Sequence, residues 1–301
     1  MVTLREADGT YIWRRRTTGE SMVRWFGWLL GIAAFMWCWN YISNATTWYF
    51  VWDAPRIAGD IFERATPPRW SYIDKLWLPI WDTINIATLG TIASLFMAVP
   101  VAFLAARNTT PRIPIHAGLV RFIPGPLRNI VMTEAAGDQF SIGIVRPIAL
   151  LIIVSTRSIN SLIWALLLIA IIGPGVFAGV VAISIRSIGF CAKLLYEAIE
   201  EINEIQVEAI TATGAGRLQT MVYGIVPQIM PAFAGIAVFR WDINIRESTV
   251  LGLVGAGGIG LQLSSSLNVL AWPQVSLILL VILLAVVIGE WVSAKVRGAI
   301  I

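Results

Sequence analysis

The sequence predicts an all-α integral membrane protein with six transmembrane helices. Three observations carry that reading. Hydrophobic residues make up 57% of the 301 and charged residues only 13%, with a mean hydropathy of +0.75, a balance suited to lipid rather than water. The apolar residues are gathered into long charge-free runs, each able as a helix to cross a hydrocarbon core of roughly 30 Å. Arginines cluster between the runs, and the positive-inside rule then puts both chain ends on the cytoplasmic side.

Residues 1–24 are polar, with Arg14, Arg15, Arg16 and Arg24 ahead of the first run, and read as a cytoplasmic segment. Residues 25–301 read as one transmembrane domain. Trp25 to Trp52 carries no charge and has no small-residue cleavage site, so a first span at about 25–43 is an uncleaved anchor. Residues 53–82 contain Pro55, Pro67, Pro68 and several aromatics and read as an extracytoplasmic loop with interfacial pieces. A second span follows at about 83–106. The segment 107–145 is rich in Pro, Gly and Arg; Arg107, Arg112, Arg121, Arg128 and Arg146 place it in the cytoplasm. Thr109 to Ala117 reads as irregular, and Phe122 to Val131 as a stretch able to lie along the membrane.

Counting spans turns on one window. Ser158 to Ile185 as a single helix would run about 42 Å at 1.5 Å per residue, longer than the bilayer core. Gly173-Pro174-Gly175 lies inside it, and a break there makes two spans, at about 147–172 and 175–197. The fifth starts near Pro227, at about 227–245, where proline in the first turn costs little. The sixth covers about 274–291, with Lys295 and Arg297 beyond it. Six crossings, unlike five, leave the Arg-rich ends together.

Between the fourth and fifth spans the chain turns polar, over 198–226. Glu197, Glu200, Glu201, Glu204 and Glu208 recur every three or four residues, which predicts the acidic side of one amphipathic helix running up to Thr213. Gly214 and Gly216 can adopt the positive φ that ends a helix, and a second helix is expected from Arg217. For Glu197, Glu200 and Glu201 a solvated helix face is the expectation. The product is a helical elbow on a membrane face.

Within it, Glu208-Ala209, Gly214 and, ten or eleven residues on, Ile225-Val226-Pro227 resemble the cytoplasmic coupling loop of permease subunits in binding-protein-dependent ABC importers. The second half of the chain, from about Arg157, resembles the phosphonate-transport permeases of that superfamily. Tyr223-Gly-Ile-Val-Pro-Gln228, Asn244-Ile-Arg246 and Thr249 to Gly260 carry the resemblance; residues 1–80 and 108–145 match poorly. It implies a type I importer core preceded by one extra N-terminal helix, set in the bacterial inner membrane and working by alternating access. Partners implied are a second copy of the chain, two cytoplasmic ATPase subunits and an extracytoplasmic solute-binding protein. ATP and Mg would sit on the ATPase, and Glu208, Ala209, Gly214, Ala215, Gly216, Ile225 and Pro227 would form the coupling contact.

Charged groups inside apolar runs are costly and usually paired or functional. Arg186, Arg240 and Arg246, with the polar Asn244, Ser248 and Thr249, are the candidates for a translocation route. Asp242 and Arg246 are four apart and can neutralise one another on a helix. Arg186 has no charged residue at helical spacing, so it faces a cavity or pairs with another helix. Glu247 stands where the resemblance leads one to expect a small polar residue, and would either repel an anion or pair with an arginine. Gly255, Gly257, Gly258 and Gly260 match G-x-G-x-x-G, but no βαβ pattern surrounds them and no acidic residue follows at the needed distance. They read as a non-helical hairpin dipping into the membrane and forming a gate.

Other chemistries are thinly represented. No Gly-Lys-Ser/Thr occurs, so any ATP is bound by another polypeptide. The net charge of +4 reflects topology rather than nucleic acid. Cys38 and Cys191 have neither disulfide context nor zinc spacing, and His116 is the sole histidine. No cofactor is expected in the chain. A permease for methionine, phosphite or phosphate is the alternative within the superfamily. A polytopic membrane enzyme is the alternative outside it, and would need paired carboxylates or several histidines at membrane depth.

Overall fold

The break between Arg157 and Ser161 shows how local chemistry positions everything after it. Asn160 takes an extended conformation and its side chain accepts the Leu162 N–H at 3.1 Å, a helix N-cap in the middle of an apolar stretch. The expected single span 147–172 is therefore two helices, α4 (Val145–Ser158) and α5 (Ser161–Ile172), bent by 89°. The polar run Ser155-Thr156-Arg157-Ser158 interrupts the apolar stretch here, and Asn160 supplies the cap that turns the chain.

The computed structural model describes residues 2–5, 11–14, 18–109, 113–115, 132–134, 140–142 and 145–300. His116 and Phe122–Val131 lie outside the described residues. The chain forms two units, Met1–Glu63 and Arg64–Ile301.

In the first unit, β1 (Val2–Arg5) pairs antiparallel with β2 (Tyr11–Arg14), Val2 opposite Arg14. Helix α1 (Thr18–Ala45) is apolar on every side and none of the residues in its apolar window is buried within the protein, as in lipid-facing helices. Helix α2 (Trp48–Ala65) then occupies part of the segment expected as loop. Asp53, Arg56, Asp60, Glu63 and Arg64 share one side of it, a pattern suited to an interface.

In the second unit a 3-10 turn, Trp70–Lys75, leads into α3 (Trp77–Ala105). Helix α3 starts six residues before the predicted span and takes Asp82 into its second turn. Three short strands, β3 (Ile113–Ile115), β4 (Met132–Glu134) and β5 (Phe140–Ile142), pair antiparallel with β5 in the centre. Positive φ at Gly173 and Gly175 then separates α5 from α6 (Val176–Glu200). The elbow contains α7 (Glu204–Ala212) and α8 (Arg217–Thr220). A π-helical turn, Met221–Ile225, joins α8 to α9 (Val226–Gly252), and α10 (Gly258–Asn268) and α11 (Trp272–Ile300) complete the chain.

Five described helical stretches are long and apolar enough to cross a membrane, and the bent α4–α5 pair makes a sixth when taken as one crossing. The core of the second unit is built on small residues. Ala98, Ala102 and Ala105 of α3 meet Ala149 and Ile153 of α4, Cys191 to Ile199 of α6, and Ile229 of α9. Cys191 is a free buried thiol and Cys38 a free exposed one. Such close helix packing is how membrane bundles gain dispersion contact when lipid is as apolar as leucine. Gly189 is an extreme case: a Cβ there would lie 2.4 Å from Thr156 Oγ1 and 2.7 Å from the Ile153 carbonyl oxygen. Its absence seats α4 directly on α6.

Candidate functional site

Helices α4, α6 and α9 bring three arginines to one ring. The guanidinium carbons of Arg240, Arg186 and Arg157 lie 4.8, 5.6 and 5.8 Å from the centre of Phe190, distances at which a ring quadrupole attracts a cation. Arg186 and Phe190 are one turn apart on α6, and Gly189 lets the end of α4 carrying Arg157 approach. Glu247 supplies the nearby carboxylate: Oε1 pairs with Arg186 Nη1, and Oε2 is 3.5 Å from Arg240 Nη2. The interhelical pairing of Arg186 is thus with Glu247. Asp242 and Arg246 pair along α9 as their spacing predicts.

A cleft of ≈ 340 Å³ opens here, lined by Asn160, Ser161, Arg186, Arg246 and Glu247 among others. Arg240 does not line it, and only 3% of its surface is exposed. Its Nε donates to Ser187 Oγ at 2.9 Å, Ser187 Oγ donates to Asn244 Oδ1 at 3.2 Å, and Asn244 Nδ2 donates to Thr91 Oγ1 at 2.8 Å. This buried chain of polar groups ties α3, α6 and α9 together, each member satisfying its neighbour. Asn244 and Ser248 were expected along a route, but both are fully buried in helix packing, with Ser248 donating to the Ile245 carbonyl. Thr249 lines a second, apolar cavity of ≈ 330 Å³ with Trp77, Trp241 and Ile288.

The glycine hairpin is tucked against protein on both sides. Gly255, Gly257 and Gly258 have positive φ, but Gly258 and Gly260 already belong to α10, so the element is a turn followed by a short helix rather than wholly non-helical. A Cβ on Gly258 would stand 2.5 Å from Thr83 Oγ1, the same oxygen that accepts the Ile259 N–H at 2.8 Å. A Cβ on Gly260 would stand 2.0 Å from the Thr249 carbonyl oxygen. These glycines let three backbones touch.

At the other end of α9 lies the elbow. Asn203 caps α7 by accepting the Ile205 N–H at 3.0 Å, so the run of glutamates is split between α6 and α7 and does not form one helical face. Asn203 outweighs the acidic periodicity because it offers the backbone a local alternative to the helix. Glu200, expected as merely solvated, accepts the Arg107 N–H at 2.9 Å and pairs with Arg146 at 3.6 Å, joining the ends of α3, α4 and α6. Gly214 has φ +84. The Gln219 side chain accepts the Gly216 N–H at 2.9 Å. Glu208, Ala209, Gly214 and Gly216 are exposed and Ala215 half-buried, Pro227 is exposed, and Ile225 is buried. Gln228, not anticipated, bridges the two parts: its Oε1 accepts the Asn203 N–H at 3.0 Å and its Nε2 donates to the Gly224 carbonyl at 2.7 Å.

A membrane bundle with an exposed helical elbow and a charged cleft invites comparison with known transporters. Residues 135–297 match the family described as the inner membrane component of binding-protein-dependent transport systems. A phosphite transport system permease protein, PtxC of Stutzerimonas stutzeri, is 34% identical over 261 residues, 86% of this chain and 83% of its own. The chain belongs to this family. The permease is also 32% identical over 237 residues to a phosphate-import permease protein of Mycolicibacterium smegmatis, of whose length that match spans 39%. Its fold matches the inward-facing MetNI methionine ABC transporter with a TM-score of 0.57 at 18% identity, over 77% of the permease and 99% of that chain. The permease is a membrane-spanning transport subunit of an importer rather than an enzyme, and importers of this kind hydrolyse ATP on a separate subunit.

Proposed function

We propose that this permease carries phosphonate, or a closely related phosphorus oxyanion such as phosphite or phosphate, inward across the bacterial inner membrane by alternating access. Two copies work together, with two cytoplasmic ATPases holding ATP and Mg and a solute-binding protein on the outer side. Both termini and the elbow face the cytoplasm, where Glu208, Gly214 and their neighbours receive the ATPase. The observation that carries the substrate reading is the gathering of Arg157, Arg186 and Arg240 round Phe190, with Arg186 lining the cleft. A bare anion is strongly disfavoured in a low-dielectric passage, and fixed cations offset that cost. The names of the relatives from Stutzerimonas stutzeri and Mycolicibacterium smegmatis point the same way. Arg186 meets the ion, Arg240 adds its field from behind, Arg246 is held mainly by Asp242, and the Gly255–Gly260 turn closes the outer end of the route.

The test uses the complete transporter in liposomes, with candidate binding proteins supplied outside. Binding protein loaded with methylphosphonate or phosphite accelerates ATP hydrolysis severalfold, and methionine-loaded protein leaves it at the basal rate. Stimulation by the methionine-loaded protein alone would refute the assignment.

A further inference from the structure

The three arginines round Phe190 outnumber the carboxylates beside them. Glu247 pairs with Arg186 and reaches Arg240, and no described carboxylate pairs with Arg157. Hydrogen bonding is incomplete as well: Arg186 Nε is buried without a hydrogen-bond partner, and Arg240 Nη2 and Glu247 Oε2, 3.5 Å apart, form an ion pair but no hydrogen bond. Arg240 itself is 3% exposed. Buried donors left without acceptors are costly, and each needs an explanation. Here Arg186 and Glu247 line a cleft of ≈ 340 Å³, so an acceptor for the Arg186 guanidinium can arrive from outside. A carboxylate presents two oxygens in one plane, whereas a tetrahedral oxyanion presents acceptors on several sides at once. The second acid of the helix is committed elsewhere, since Asp242 holds Arg246.

We propose that Glu247 is a resident anion. Its carboxylate occupies, between Arg186 and Arg240, the position that a phosphorus oxyanion takes in passage, and it swings aside when that ion enters. This rests on the reading of the chain as an importer of such ions. Two consequences follow from the charges. In the empty permease Glu247 keeps two arginines from standing unpaired in a medium of low dielectric, a situation costly enough to disturb folding. In the loaded permease it competes with the ion, which limits the affinity and lets the ion leave. Arg157 and Phe190 complete the site: the ring holds the guanidinium groups apart and Arg157 supplies charge that Glu247 leaves uncompensated.

The experiment measures binding of methylphosphonate to the detergent-purified transporter without its binding protein, by phosphorus NMR line broadening. If the carboxylate is seated about nine-tenths of the time, Glu247→Gln tightens binding about tenfold. Glu247→Asp separates displacement from a simple field effect, because it keeps the charge but shortens the reach; it also binds more tightly than the parent. Equal affinity in parent, Gln and Asp forms overturns the proposal, as does a gain in the Gln form alone, which a field effect explains. Should neither variant assemble, infrared difference spectra of the parental transporter decide: methylphosphonate shifts a glutamate carboxylate band, and an unshifted band overturns the inference. Uptake by the parental transporter is followed in parallel. Absence of phosphorus-oxyanion uptake there removes the proposed function, whereas uptake with binding indifferent to Glu247 removes only the resident anion.

Discussion

Asp242 and Glu247 lie five residues apart on α9 and serve different arginines. Asp242 takes Arg246 from its own helix, a pairing legible in the sequence because four residues make one helical turn. Glu247 takes Arg186 from α6, sixty-one positions away, and no local spacing announces that. The same division runs through the site. Turns at Gly173, Gly214 and Gly255 were legible because glycine tolerates the positive φ each adopts. The buried chain from Arg240 to Thr91 was not, because its members are polar residues whose partners depend on how three helices rotate. Asp242 is 5% exposed, so removing its partner leaves a buried charge. Arg246→Gln is expected to destabilise the permease by roughly 1–3 kcal/mol, at the low end because Arg246 is half exposed. Adding Asp242→Asn restores most of the loss, since both charges then leave together. Thermal unfolding in detergent reads both steps. A double variant less stable than Arg246→Gln alone shows that the pair does something other than neutralise.

Among the helical elements, α7 depends on a clasp supplied from α9. Gln228 holds the Asn203 N–H at the start of α7 and the Gly224 carbonyl in the π turn. Gly224 lies directly under α7, where a Cβ would stand 3.3 Å from Ile210 Cδ1. Displacing α7 therefore pulls on the turn from which α9 rises. The sequence made α7 foreseeable as a helix, but its start was misplaced by the glutamate periodicity, and a π turn has no compositional mark. Gln228→Ala is expected to cost about 2 kcal/mol in two lost hydrogen bonds, each worth about 1. Its larger effect falls on coupling: ATP hydrolysis by the assembled transporter continues while uptake per ATP falls. Gln228→Ala with an unchanged ratio of uptake to hydrolysis would show that the clasp does not transmit force.

For the molecule as a whole, the number of crossings decides which side the elbow faces. Counting the bent α4–α5 pair as one crossing makes six, and both chain ends then share a side with Gly214. A cysteine at Gly214 in a Cys38- and Cys191-free background is expected to resist an impermeant thiol reagent applied to right-side-out membranes. Labelling there from outside would require an odd number of crossings before the elbow on the present reading of the N-terminal side. Hydropathy alone made the apolar helices visible, and the glycine-proline break made α5 and α6 separable. The right angle at Asn160 escaped because the break at Gly173-Pro174-Gly175 alone satisfied the length argument.

One feature of that architecture has a mechanical meaning. From Arg217 to Gly252 the chain is helical over 36 residues, a rod of about 54 Å at 1.5 Å per residue. Its foot stands in the elbow and its tip touches α10, where Gly252 and Gly260 meet backbone to backbone. Such a rod is a lever with a long arm. Tilting it about its foot by roughly 5° carries the tip through about 5 Å, close to the pitch of one helical turn. A small rotation imposed at the foot thus arrives at the glycine contact as a stroke large enough to part it.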